Sequence, residues 1–286
     1  MRQAILITAY TSPELLEQLV DYFDGDFEIF IHIDRKSKED FSVLNKRKNV
    51  HVFKRYKVEW GDCNHLRAIL MLMHRAFNMP DLEYFHLITG CDYPCMPLRQ
   101  FKNFCELHRQ DNFVEHFRIP HHDWGRDGGR GRLDYYWIRP SYRASGSWFT
   151  RKFINLQRRL GWKRSFHFFD GNIYGGSTYW SVSREAIRTA LKYIDEQPAY
   201  LRRFRMTNIA EEFCLPTIWA NSGLGLTNNY MRYINWGVDG YNPQVLTEDD
   251  WDNITSSTYL FARKIESGTS DSLVKLIQTR KEWDDA

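Results

Sequence analysis

Three consecutive runs decide the fold: Ala4-Ile5-Leu6-Ile7-Thr8-Ala9-Tyr10, Pro13-Glu14-Leu15-Leu16-Glu17-Gln18-Leu19-Val20-Asp21-Tyr22 and Phe27-Glu28-Ile29-Phe30-Ile31-His32-Ile33. The first reads as a buried strand. The second has Leu15, Leu16, Leu19 and Val20 at helical spacing, with Ser12 as the expected N-cap and Pro13 at the first helical position. The third is rich in β-branched and aromatic residues and reads as a second strand. Outward from there the pattern repeats. Strands are expected over Val50–Phe53, Tyr84–Ile88 and Phe113–Phe117, and helices over Asn64–Phe77 and Leu98–Leu107. Alternation of this kind predicts an α/β fold with a mainly parallel, Rossmann-like sheet flanked by helices. Its ligand crevice is expected at the carboxyl ends of the strands. Three segments fall there: His32 to Ser37, Glu59-Trp60-Gly61 and Thr89-Gly90-Cys91-Asp92-Tyr93-Pro94.

The 286 residues are 43% hydrophobic and 26% charged, an ordinary globular composition of one large domain or two small ones. The net charge of +3 is too small to imply nucleic-acid binding. The longest clean apolar run is Ala68 to Met73, far short of a membrane span. Met1-Arg2 leads directly into Ala4 without a signal-peptide layout. Five cysteines, an odd number, read as reduced thiols. These features predict a cytoplasmic protein.

Residues 121–170 stand apart. They hold eleven Lys or Arg against four Asp, and twelve aromatics. Within them Gly125 to Gly131 reads as a flexible loop. This basic aromatic stretch suits an anionic acceptor, a lipid-phosphate surface or single-stranded nucleic acid, or else is a solvated excursion. Contact with anionic lipid is expected through Arg126, Arg130 and Arg132.

Several chemistries lack their motifs. There is no G-x-x-x-x-G-K-[ST], no G-x-G-x-x-G after the first strand and no G-x-S-x-G. Asp24-Gly25-Asp26, a D-x-D, precedes the second strand and reads as a turn, and Asp249-Asp250 marks the start of a helical stretch. His121-His122-Asp123 has ligand types, but neighbours in sequence seldom chelate one ion, so no metal is expected. Asn208-x-x-Glu211 has capping-box spacing. That leaves Glu212 free for chemistry as a general base, on a helix loosened by Pro216, which cannot donate to the Glu212 carbonyl. Glycine residues 175–176 turn into a strand through Val182, and Ser183 is expected to cap the next helix. Arg263-Lys264 follows an apolar segment read as helical, and is either a solvated helix end or a diphosphate clamp.

Together these pieces resemble the core-2/I-branching β-1,6-N-acetylglucosaminyltransferase family, which also contains the protein xylosyltransferases. The likeness runs from about residue 4 to 266. It is carried by Ile31 to Ser37, Trp60-Gly61, His86 to Pro94, Gly176 to Arg184, Ala210 to Phe213, Arg232 to Trp236 and Phe261 to Lys264. The resemblance implies one GT-A-like catalytic domain over 1–286: a nucleotide-binding half (1–117), the basic aromatic insertion (118–170), and an acceptor-binding and catalytic half (171–286). It implies an inverting glycosyltransferase that needs no divalent metal or other cofactor. The donor is a UDP-sugar, N-acetylglucosamine or xylose. The acceptor's identity does not carry over, because residues 118–170 have no match; the cytoplasmic features and the basic segment lead us to expect a glycan or lipid-linked glycan in surface polysaccharide synthesis, with peripheral contact at the inner face of the cytoplasmic membrane and no nucleic acid. Residue by residue, the resemblance assigns Glu212 as general base, Lys264 with Arg263 to the diphosphate, His32 and Asp34 to the nucleotide-sugar, and Trp236 and Asp92 to the acceptor. The family's other diphosphate cation falls where this chain has Asn242-Pro243-Gln244. A non-catalytic sugar- or single-stranded nucleic-acid-binding module is the alternative.

Overall fold

The computed structural model describes residues 1–284 except 24, 139–147, 238–239, 241 and 257. The opening runs form strand β1 (Arg2–Ala9), helix α1 (Pro13–Tyr22) and strand β2 (Phe27–Ile33). Alternation along β1 explains why the sheet is covered on both sides. Ile5 and Ile7 enter one buried cluster with Leu15, Leu19, Ile29 and Ile31; Ala4 and Leu6 enter a second with Phe30, Leu66 and Leu87. All seven residues of β2 are buried, as a strand between two helical layers must be. Ser12 stands at the N-cap of α1 but bonds no helix N–H through its side chain. Side-chain capping needs an extended backbone there, and Ser12 is left-handed (φ 59°).

The chain continues through β3 (Val50–Phe53), α2 (Cys63–Phe77), β4 (Leu82–Thr89), β5 (Asp92–Pro94), α3 (Leu98–Leu107), β6 (Asn112–Val114) and β7 (Phe117–Arg118). The strand expected over Phe113–Phe117 is therefore two. Val114 pairs in the main sheet and Phe117 in a separate ribbon, so the chain turns between them. Then come α4 (Arg130–Asp134), α5 (Trp148–Arg159), β8 (Tyr174–Gly175), β9 (Trp180–Ser183), α6 (Arg184–Glu196), α7 (Pro198–Arg203), α8 (Glu211–Ala220), β10 (Leu226–Thr227) and β11 (Arg232–Ile234). The last elements are α9 (Trp251–Thr255), β12 (Phe261–Arg263) and α10 (Asp271–Asp284). Ser183 caps α6, accepting from the Ala186 N–H, as its sequence predicts.

The main sheet runs β10-β6-β9-β4-β1-β2-β3. Six strands are parallel, and β9 is antiparallel to both of its neighbours, β4 and β6. This is the helix-flanked, mainly parallel α/β sheet expected of a GT-A-like fold. A second sheet, β11-β12-β5, packs beside it. The link between the two is Arg232. Its fully buried guanidinium donates to the Leu87 and Trp180 carbonyls (2.9 Å each) and to Ser181 Oγ (2.9 Å), and lies 4.8 Å from the Phe261 ring centroid. Among the described residues no helix is long and apolar enough to cross a membrane.

Candidate active site

The main sheet reverses its strand order between β1 and β4, and in parallel sheets covered by helices ligands bind beyond the carboxyl ends of the strands at such a point. Gly90 N donates to Thr8 O there at 3.0 Å, and a Cβ on Gly90 would lie 2.9 Å from that of Ala9. Only glycine allows this approach. The chain then enters β5, which pairs antiparallel with β12 in a register that sets Asp92 opposite Arg263. Arg263 Nη1 lies 3.0 Å from Asp92 Oδ1 and 2.6 Å from Thr89 Oγ1. The other carboxylate oxygen accepts from Thr89 N (2.5 Å) and Thr89 Oγ1 (3.0 Å). Asp92 has no exposed surface and both its oxygens are engaged, so its observed contacts position Arg263.

Phe261–Arg263 is a strand, not the helix its apolar run suggested. Three residues paired on both edges cannot show the 3.6-residue period that separates the two. The two cations therefore stand at the end of a sheet rather than at a helix terminus. The parallel pairing of β11 and β12 matches Ile234 with Arg263, so the residues that follow, Trp236 and Lys264, leave the sheet at the same end. The Trp236 ring is 45% exposed, open enough to receive a ligand face. Lys264 is half-buried and its Nζ pairs with Glu266 Oε1. Gln244 accepts from Lys264 N at 3.4 Å through its carbonyl.

Glu212 opens α8. Pro216 frees its carbonyl as the sequence predicts, and Gly176 N takes that acceptor at 3.0 Å. A Cβ at Gly176 would sit 1.9 Å from Glu115 O, which makes glycine obligatory at this junction. The Glu212 carboxylate meets Arg132 Nη1 at 2.5 Å. Burial pushes its pKa up to about 7; Arg132 opposes the rise, while the neighbouring Glu211 and Glu115 add to it. Arg132 comes from the insertion. Its guanidinium lies 4.3 Å from the Trp124 ring centroid, and Trp124 meets Phe213 of α8 edge-on at 5.1 Å. Arg132 is thus committed to Glu212 rather than to lipid, and Arg130 pairs with Asp134 at 3.4 Å. The Gly125–Gly131 stretch is an ordered turn leading into α4, because the Asp127 carboxylate accepts from Gly129 N (3.2 Å) and Gly131 N (3.1 Å).

Glu211 does not close a capping box. Ala210 holds the N-cap without a side-chain bond, and Ile209 is left-handed (φ 54°), which breaks the register the box requires. Its carboxylate instead accepts from His65 Nδ1 (2.8 Å), and His65 Nε2 meets Thr8 Oγ1 (3.1 Å) at the end of β1. Burial disfavours the His65 cation, but Glu211 and Asp62 outweigh it and raise its pKa. Tyr179 lies between the two halves of the site. Its hydroxyl pKa is raised by burial, with Arg263 lowering it and Asp92, Cys91 and Glu212 adding to the rise.

His32 and Asp34 are less open. The His32 ring is 1% exposed and accepts from Tyr56 N at 3.0 Å, and burial pulls its pKa down to about 4. Asp34 accepts from Lys36 N (2.9 Å) and Val58 N (3.3 Å) and lies 3.6 Å from Lys36 Nζ. Their contacts shape the loops after β2 and β3. Asp26 of the D-x-D precedes β2, at the opposite end of the strand from the crevice, and pairs with Lys102 at 2.6 Å; Asp24 lies outside the described residues. Among the described residues only His121, His122 and Asp123 group as metal ligands, within 4.8 Å of one another. Cys63, Cys91, Cys95, Cys105 and Cys214 are free thiols.

The family model described as "Core-2/I-Branching enzyme" matches residues 4–259. No curated protein is a significant match. Similar solved structures include 4-diphosphocytidyl-2C-methyl-D-erythritol synthase (10% identity, 89% of this chain and 99% of that one, TM-score 0.39). Another is a protein assigned as a glucose-1-phosphate thymidylyltransferase from Bacillus anthracis, solved with sucrose (11% identity, 99% and 96%, TM-score 0.40).

Proposed function

Because the chain belongs to the Core-2/I-branching enzyme family and is therefore a glycosyltransferase, we propose that it transfers a sugar from UDP to a glycan hydroxyl with inversion and without a metal ion. The observation that carries this reading is Glu212. It is a partly buried carboxylate whose pKa is pushed up to about 7, held by one arginine, and its charge reaches Tyr179, whose ring lies 5.0 Å from the Arg263 guanidinium.

The steps follow from that arrangement. An acceptor hydroxyl donates its proton to Glu212 while its oxygen bonds to the sugar C1 from the face opposite UDP. The C1–O bond to UDP breaks through an oxocarbenium-like state, as in glycoside hydrolysis. The electron pair leaves on the β-phosphate, where Arg263 and Lys264 meet the new charge. Asp92 and Thr89 hold the Arg263 guanidinium in place before substrate arrives. Trp236 stacks on the apolar face of the acceptor sugar. Asp34 lines the nucleoside end, and His32 supports that loop from behind. N-Acetylglucosamine is the first donor to test, with xylose second.

The base assignment has a pH signature. Only ionised Glu212 can take a proton, so transfer rises with pH through about 7. Arg132 lowers the Glu212 pKa, so Arg132→Gln should move this acid limb to higher pH. The profile of UDP release between pH 5 and 9 checks it. An acid limb that Arg132→Gln leaves in place would remove Glu212 from the role. UDP binding with no transfer from any UDP-sugar would favour the non-catalytic alternative.

A further inference from the structure

Helix α5 presents an unusual outer face. Its inner side is set by the buried Thr150, Ile154 and Gln157. Outward stand Trp148 (63% exposed), Phe149 (58%), Leu156 (50%), Leu160 (65%) and Trp162 (51%). Leu160 N bonds to Leu156 O at 3.0 Å, so the helical path reaches Leu160; the left-handed Gly161 (φ 63°) ends it, and Trp162 follows at that end. Over residues 148–164 the chain also holds six Lys or Arg and no Asp or Glu. Exposed apolar residues on this scale ordinarily mark a contact surface.

We propose that the outer face of α5 docks on the headgroup–acyl boundary of a bilayer rich in anionic lipid. The combination is that of an interfacial helix, with aromatic and leucine side chains to enter the hydrocarbon edge and cations to meet lipid phosphate. A second copy of this chain is a poor occupant, because six positive charges would face six more. Nucleic acid is a poor one too, since Leu156 and Leu160 offer bases neither a stacking face nor a hydrogen bond. The same surface runs on through the Trp162–Tyr136 ring contact (5.5 Å) into a cleft of about 370 Å³. Arg164, Arg202 and Arg203 line it, and no carboxylate does. Arg164 and Arg203 spend their bonds on backbone carbonyls and Thr207, and each lies buried enough to lower its pKa. With those donors engaged, the recess offers a lipid phosphate the arginines' positive field rather than their hydrogen bonds.

The test uses the full chain and sedimentation with vesicles of phosphatidylglycerol and phosphatidylcholine, against pure phosphatidylcholine. The parent should bind the anionic vesicles and not the neutral ones. Leu156→Glu with Leu160→Glu should weaken binding by about tenfold or more, and Arg151→Glu with Lys152→Glu by about a hundredfold. Both variants should keep the parent's melting temperature, because all four side chains point outward. The proposal is overturned if the parent ignores anionic vesicles, or if the variants bind as well as the parent. It is equally overturned if the parent is a dimer that the leucine variant dissociates, or if a single-stranded oligonucleotide displaces the vesicles. None of these outcomes touches the glycosyl-transfer reading, which is assayed in solution.

Discussion

Glu212→Gln is expected to cut sugar transfer by about 10²–10⁴-fold while UDP binding stays unchanged. The amide keeps the shape of the carboxylate and can still accept a hydrogen bond from Arg132, but it cannot take a proton from an acceptor hydroxyl. The loss should appear in kcat at saturating donor and acceptor, since the group acts in the transition state. It should also abolish the acid limb near pH 7. Titration with UDP and single-turnover transfer on the same preparation separate binding from chemistry. A variant that transfers at the parental rate would leave the site without its base.

Arg263→Ala is expected to act twice. It removes one of the two cations we propose to face the departing diphosphate, worth about 10²–10³ in rate by comparison with other preorganised charges. It also strands Asp92, which has no exposed surface and whose Oδ1 meets Arg263 at 3.0 Å. An ion pair broken on one side in such a setting costs about 3–5 kcal/mol of stability. Lys264→Ala should reproduce only the first effect, because Lys264 is half-buried and its partner Glu266 lies closer to solvent. Thermal melting beside transfer rates distinguishes the two. Equal loss of stability in both variants would contradict the placement of Arg263.

How much of this was legible in the sequence varies with the kind of signal. The strand–helix alternation from Ala4 to Leu107 was readable because the long strands are mostly apolar and each helix has one apolar stripe. The freed Glu212 carbonyl was readable from Pro216, a local rule. Arg132 was visible only as one of eleven cations, and nothing local ties it to a carboxylate eighty positions away. The pairing of His65 with Glu211 was hidden for the same reason, with a plausible capping box standing in its place. Two-residue strands such as β7 and β8 carry no periodicity, so the break after Val114 had no sequence mark. The aromatic surplus had two causes that composition cannot separate: Trp180 and Trp219 fill the core, whereas Trp148 and Trp162 stand outside it.

The central claim is that fixed side chains, Arg263 and Lys264, do the work of a metal beneath the pyrophosphate. The most direct measurement is the steady-state rate of UDP release from UDP-N-acetylglucosamine, or from UDP-xylose if that is the donor. It is taken with a cognate acceptor, in excess EDTA and again with added manganese. The expected result is the same rate in both. A rate that vanishes in EDTA and returns with manganese would contradict it.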